Sequence, residues 1–115
     1  MSDVVLIYTT WPDAETAETF AAEAVAERVA ACANILAPIQ SVYRWKGAVD
    51  RAVETPMLLK TSAEAAERLR DLLVSRHPYE VPCIVALPVR AEASNPDFLG
   101  WILAETSAPT PEAGD

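Results

Sequence analysis

The spacing of apolar residues along this chain switches between short runs, a three-to-four repeat and strict alternation, and each switch marks a new element. "DVVLIYT" is a β-branched apolar run too short for a helix, which predicts a strand covered on at least one face. It ends at "TWPD", where Pro12 suits the entry or first turn of a helix and Asp13 with Glu15 places negative charge where the helix dipole favours it. Ala17, Phe20, Ala21, Ala24, Val25 and Ala31 then recur at helical spacing, with Glu15, Glu18, Glu23 and Glu27 mostly set apart. The prediction is an amphipathic helix rich in alanine, able to lie close against a sheet.

From Ala33 to Trp45 the period becomes two, with Ile35, Ile39, Tyr43 and Trp45 on one side, and Pro38 implies a bulge or an edge position. After a turn near "KG", the segment "AVDRAVETPMLLKT" continues extended, so the two halves form a hairpin with arms of roughly a dozen residues, about twice a typical strand. Thr61 with Glu64 reads as a capping box, and Ala66, Leu69, Leu72 and Leu73 mark a second amphipathic helix ending near Arg76. Pro78 and Pro82 bracket an irregular "HPYEVP" loop, and "CIVALPVR" reads as another buried strand. Asn95 and Pro96 open a last short helix with Phe98, Leu99, Ile102 and Leu103 in a stripe and Trp101 nearby. The closing "SAPTPEAGD" has no apolar periodicity and reads as a frayed tail.

The order is β-α-β-β-α-β plus a terminal helix, the pattern of an α+β ferredoxin-like sandwich with helices on one face of an antiparallel sheet. A single domain is expected over residues 1–106, with a disordered tail at 107–115. Such a sheet leaves edges and one face open, and the overlong hairpin can pair with another copy's sheet to close a symmetric homo-oligomer.

Composition narrows the partners. With 115 residues, 51% of them hydrophobic, the chain can build a real core. Its formal net charge of -8, and basic residues spread without a run, argue against nucleic acid and against an anionic membrane. "MSDVVLIYTT" lacks a basic n-region and is too short to span, so a cytoplasmic protein is expected, with Cys32 and Cys83 as free thiols. There is no internal repeat, glycine-rich phosphate loop or metal motif of recognised spacing.

Four segments, "ACANILAPIQSVYRWKG", "ETPMLLKT", "HPYEVPCIVALPV" and "FLGWI", resemble in order and spacing the signature segments of the CutA family, the divalent-cation tolerance proteins. The likeness runs from about residue 4 to residue 106. It implies a ferredoxin-like homotrimer, cytoplasmic in bacteria, whose long hairpin joins neighbouring subunits. It also implies a role in tolerance of copper and other divalent cations. The family trimer resembles the PII signalling proteins, which bind small ligands between subunits. Some members carry a first-strand cysteine implicated in copper binding, and this chain has Thr9 at the matching place.

The only histidine, His77, opens "HPYE". Read as a neutral imidazole, it is a metal ligand with Glu80 near enough to be a second ligand or to orient the ring, and Cys83 as thiolate would suit Cu(I) or zinc. Read otherwise, His77 caps the helix before it, and Cys83, like Cys32, is a small buried hydrophobe. The resemblance also groups Trp45, Glu54, Lys60 and Tyr79 near the subunit clefts. They offer aromatic walls, a carboxylate and a cation, or equally an interface anchor and paired strand residues.

The expected function is a trimeric protein of divalent-cation (copper) tolerance and the response to metal ions, binding copper or another divalent cation near the HPYE loop. The alternative is a PII-like sensor of a small anionic or nucleotide ligand. An enzyme is not expected, because no nucleophile is paired with a base in motif form.

Overall fold

The computed structural model describes residues 3–107. The elements run β1 (Val4–Trp11), α1 (Ala14–Ala26), β2 (Cys32–Ile35), β3 (Ile39–Trp45), β4 (Ala48–Ser62), α2 (Ala63–Arg76), β5 (Ile84–Pro88), a 3-10 turn (Ala91–Ala93) and α3 (Pro96–Glu105). The chain is thus α+β with one antiparallel sheet of order β2-β4-β1-β5, and β3 pairs with the distal part of β4. No helix among the described residues is long and apolar enough to cross a membrane.

Alternation puts Ile7, Thr9 and Trp11 of β1 on the same face as Met57, Leu59 and Thr61 of β4, and both long helices cover that face. From α1 come Ala17, Phe20, Ala21 and Ala24, and from α2 come Leu69 and Leu73, all buried. Val25, at the edge of the predicted stripe, is exposed, and α1 ends at Ala26, after which Arg28 turns left-handed at φ 62. Ala31 therefore lies beyond the helix, in a smaller cluster with Val4 and Ile102. Arg28 ties this corner down by donating to the Ala104 carbonyl at 2.9 Å, one of the last carbonyls of α3 that has no helical partner.

Helix starts follow capping chemistry. Asp13 Oδ1 accepts from the Thr16 N–H and hydroxyl, both at 2.7 Å, and the backbone bond first, then the hydroxyl, holds its carboxyl below the usual range. The expected Thr61 cap belongs one residue on: Ser62 Oγ accepts from the Ala65 N–H at 3.1 Å, while Thr61 stays in β4 and its hydroxyl donates to the Val29 carbonyl at 2.7 Å. Asn95 caps α3 through the Asp97 N–H at 3.0 Å.

The hairpin turns at Lys46 (φ 50) and Gly47 (φ 84), two left-handed residues between the pair Trp45 and Ala48, which is the two-residue connection that matches strand twist. Where β2 gives way to β3, the ladder slips. Leu36 donates to the Pro56 carbonyl at 2.9 Å, and Ile39 next faces Glu54, so Ala37 and Pro38 oppose Thr55 alone. Pro56 has no N–H to return to Leu36, so the missing bond falls where this bulge already interrupts the pairing. The bulge corrects the simple alternation: Ile35 shares a face with Met57, whereas Ile39, Tyr43 and Trp45 share the face of Glu54.

Two other expectations change. "CIVALPVR" is not a buried strand: β5 is the sheet edge, and Val85 and Leu87 are exposed on the face that neither α1 nor α2 covers. In α3 only Ile102 is fully buried, with Leu99 packed beside it, while Phe98 and Trp101 stack at 5.5 Å near the surface. Of the tail predicted from residue 107, Ser107 donates to the Ala104 carbonyl at 2.9 Å, and residues 108–115 lie outside the described residues.

Candidate functional site

A cleft of about 630 Å³, a size suited to a small molecule, opens on the sheet face that α1 and α2 leave bare. Its floor is Tyr8 and Thr10 of β1 with Ala52 and Glu54 of β4, one wall is Ser41, Tyr43 and Trp45 of β3, and the other is Tyr79, Glu80, Val81 and Cys83. Strand parity assembles it: Ser41 faces Ala52 and Ile39 faces Glu54, so small residues meet in the middle and leave a hollow between the aromatic rings.

Glu54 is only 9% exposed. The Tyr79 hydroxyl lies against it, and burial first, then the hydrogen bond to Glu54, pushes the Tyr79 phenol up to about 12. No ion pair to Glu54 occurs among the described residues. Cys83 is partly buried, and burial pushes its thiol pKa up; a hydrogen bond with Thr10 opposes this and the Glu54 charge adds to it. Burial thus favours the neutral thiol of Cys83 in the metal-free cleft.

His77 lies behind the cleft. Its Nδ1 accepts from the Tyr79 N–H at 3.1 Å, which puts the ring proton on Nε2, and Nε2 donates to the Thr10 carbonyl at 2.8 Å. Its backbone N–H closes α2 by donating to the Leu73 carbonyl at 2.9 Å, and its ring packs at 4.2 Å from that of Trp11. Burial lowers its pKa, against the Thr10 carbonyl and Glu54, so the imidazole is neutral. With both nitrogens occupied, the ring has no lone pair to give a metal in this conformation. Its task here is to fix the HPYE loop against β1.

Thr9 is equally committed: its hydroxyl accepts from Trp11 Nε1 at 2.7 Å and donates to the Met57 carbonyl at 3.2 Å. Lys60 lies six residues from Glu54 along an extended strand, about 20 Å away. Its Nζ is 5.5 Å from the Phe98 ring centre and 3.9 Å from Cys32 Sγ. The cleft so gathers Trp45, Glu54, Tyr79, Glu80 and Cys83 from the residues predicted, and leaves out His77 and Lys60. It adds Tyr8, Thr10, Ser41 and Tyr43, of which Ser41 and Tyr43 were findable from the parity of Trp45. The donors present do not fit a thiolate and imidazole copper site, and no group of three or more His, Cys, Asp or Glu placed to hold a metal occurs among the described residues.

A single antiparallel sheet with α1 and α2 on one face, α3 on part of the other and a ligand-sized cleft beside it defines an α+β sandwich class. The profile of the CutA1 divalent ion tolerance proteins matches residues 5–105, and the chain belongs to that family. A divalent-cation tolerance protein CutA of Thermus thermophilus is 44% identical over 106 residues, spanning 92% of this chain and 99% of the relative. Among solved structures, the protein described as a periplasmic divalent cation tolerance protein CutA of Archaeoglobus fulgidus is 36% identical with a TM-score of 0.84, covering 90% of this chain and 99% of that one. A protein described as PII-like CutA from Nostoc sp. PCC 7120, in apo form, is 33% identical with a TM-score of 0.83, covering 90% of this chain and 97% of that one.

Proposed function

We propose that this chain is a ferredoxin-like homotrimer acting in tolerance of divalent cations and the response to metal ions, and that it works by binding a small ligand in the cleft rather than by catalysis. The observation that carries the reading is the convergence of Trp45, Glu54, Tyr79 and Glu80, from three separate segments, on one cavity. The PII-like description of the Nostoc relative and the exposed Val85 and Leu87 on the same sheet face support it. We place the protein in the cytoplasm, where the unpaired Cys32 and Cys83 stay reduced. A second reading, favoured by Glu54, Glu80 and Cys83 lining the same cleft, is that these side chains hold the divalent cation together with donors from a neighbouring subunit.

Light scattering is expected to give the mass of three chains; a folded monomer would remove the trimer. A thermal titration with Cu(I), Cu(II), Zn(II) and a metabolite panel, repeated on Trp45→Ala, separates the two ligand readings. A rise with a metabolite that survives chelator and disappears in Trp45→Ala is the expected result. A metal-specific rise lost in Glu80→Gln would transfer the site to the cation, and no rise with any ligand would defeat both.

A further inference from the structure

Resting on the cleft as the working site, we infer that its ligand is a small organic cation, one carrying an ammonium head. Four of the lining residues are aromatic, Tyr8, Tyr43, Trp45 and Tyr79, and the two charged ones are both carboxylates, Glu54 and Glu80. Among the described residues of the chain, no lysine or arginine lines the cavity. The basic residue expected there, Lys60, is held at the other end of β4 against Phe98 and Cys32. A phosphate or carboxylate ligand would therefore enter a cavity of its own sign, in a chain whose formal net charge is -8.

Two features make the cavity selective for cationic charge. Glu54 is nine-tenths buried, and the neighbour pressed against it is a phenol and not a cation, so the ammonium group supplies the countercharge that the fold leaves out. Around that carboxylate the ring faces attract a weakly hydrated cation through their quadrupoles, as in aromatic cages for quaternary ammonium groups. Glu80 stands exposed on the opposite wall and adds a second, outer negative charge that draws the cation in. Ala52 and Ser41 keep the centre open, so the head group reaches Glu54 without displacing a side chain.

The test is isothermal titration of the intact protein with choline, with its uncharged isostere 3,3-dimethyl-1-butanol, with putrescine and with ATP. Choline or putrescine is expected to bind saturably, with the isostere weaker by about tenfold or more, which is the size of one desolvated cation–π contact with its carboxylate. Glu54→Gln is expected to lose most of that binding, and Glu80→Gln at the exposed rim to weaken it severalfold. Light scattering and circular dichroism on each variant show that the fold is kept. Equal binding of choline and its isostere, or binding of ATP alone, would overturn the cationic ligand while leaving the cleft as the working site. Absence of binding by both cations overturns the inference, and the wider metabolite panel then decides whether the cleft reading falls as well.

Discussion

The two halves of β4 are one strand with the same kinds of residue and opposite surroundings. Between Glu54 and Ser62 the side chains sink into the structure, Met57 and Leu59 to 0% exposure, because α1 and α2 cover one face and β1 and β2 flank both edges. Between Ala48 and Val53 the strand has β3 alone, and Val49 and Val53 stand 58% and 61% exposed. An isolated two-stranded hairpin is at best marginally stable in water, so the distal half depends on something that packs against it. The difference teaches that β-branched residues can serve a core or an interface with the same pattern, and that only the neighbours decide.

The comparison can be broken first at its buried end. Leu59→Ala should lower unfolding stability by about 2–5 kcal/mol, the range for removing a leucine from a packed core, read from urea denaturation. At the exposed end, Val49→Asp with Val53→Asp should leave far-UV circular dichroism of the helices intact and shift the mass by light scattering from three chains towards one. An unchanged mass would mean that the hairpin takes no part in assembly.

Between the two halves, His77→Gln tests what seals the cleft from behind. His77 has its folded pKa lowered below the unfolded value of about 6.5, so in the window between them the unfolded chain binds more protons. Its contribution is therefore complete above about pH 6.5 and lost as the pH falls through that window. Urea midpoints at pH 7.5 and 5 should differ by less in the variant than in the natural protein. The smallest effect belongs to the hairpin tip: Gly47→Ala meets no neighbour within 4 Å, yet at φ +84 it should cost about 1 kcal/mol through backbone strain alone.

Local physics was legible in the sequence. The helix starts near Pro12 and Asn95, the turn near Lys46 and Gly47 and the interruption at Pro38 follow from nearest neighbours, and so did the order of elements. What stayed hidden depended on partners far along the chain. His77 reads as either a ligand or a helix cap until Thr10, more than sixty residues earlier, takes its Nε2 and Trp11 packs on its ring, and Lys60 joins Glu54 by name until the length of an extended strand separates them. The exposure of β5 follows from the sheet order, which sets it outside β1 with a neighbour on one edge only. Glu80 and Cys83 line one cleft wall because the short segment from Tyr79 to Cys83 runs along it.

The slip opposite Thr55 works as a spacer between two ladders. Two residues, Ala37 and Pro38, stand against one, so Ile35 and Ile39 lie on opposite faces although they are four positions apart. Removing one of them would restore an unbroken ladder in which Ile39 still faces Glu54 and Trp45 still faces Ala48, so Tyr43 and Trp45 would stay on the cleft side of the sheet. The aromatic wall is thus tied to its side of the sheet by the β4 register and the two-residue turn, and the surplus residue is slack taken up between two fixed ladders.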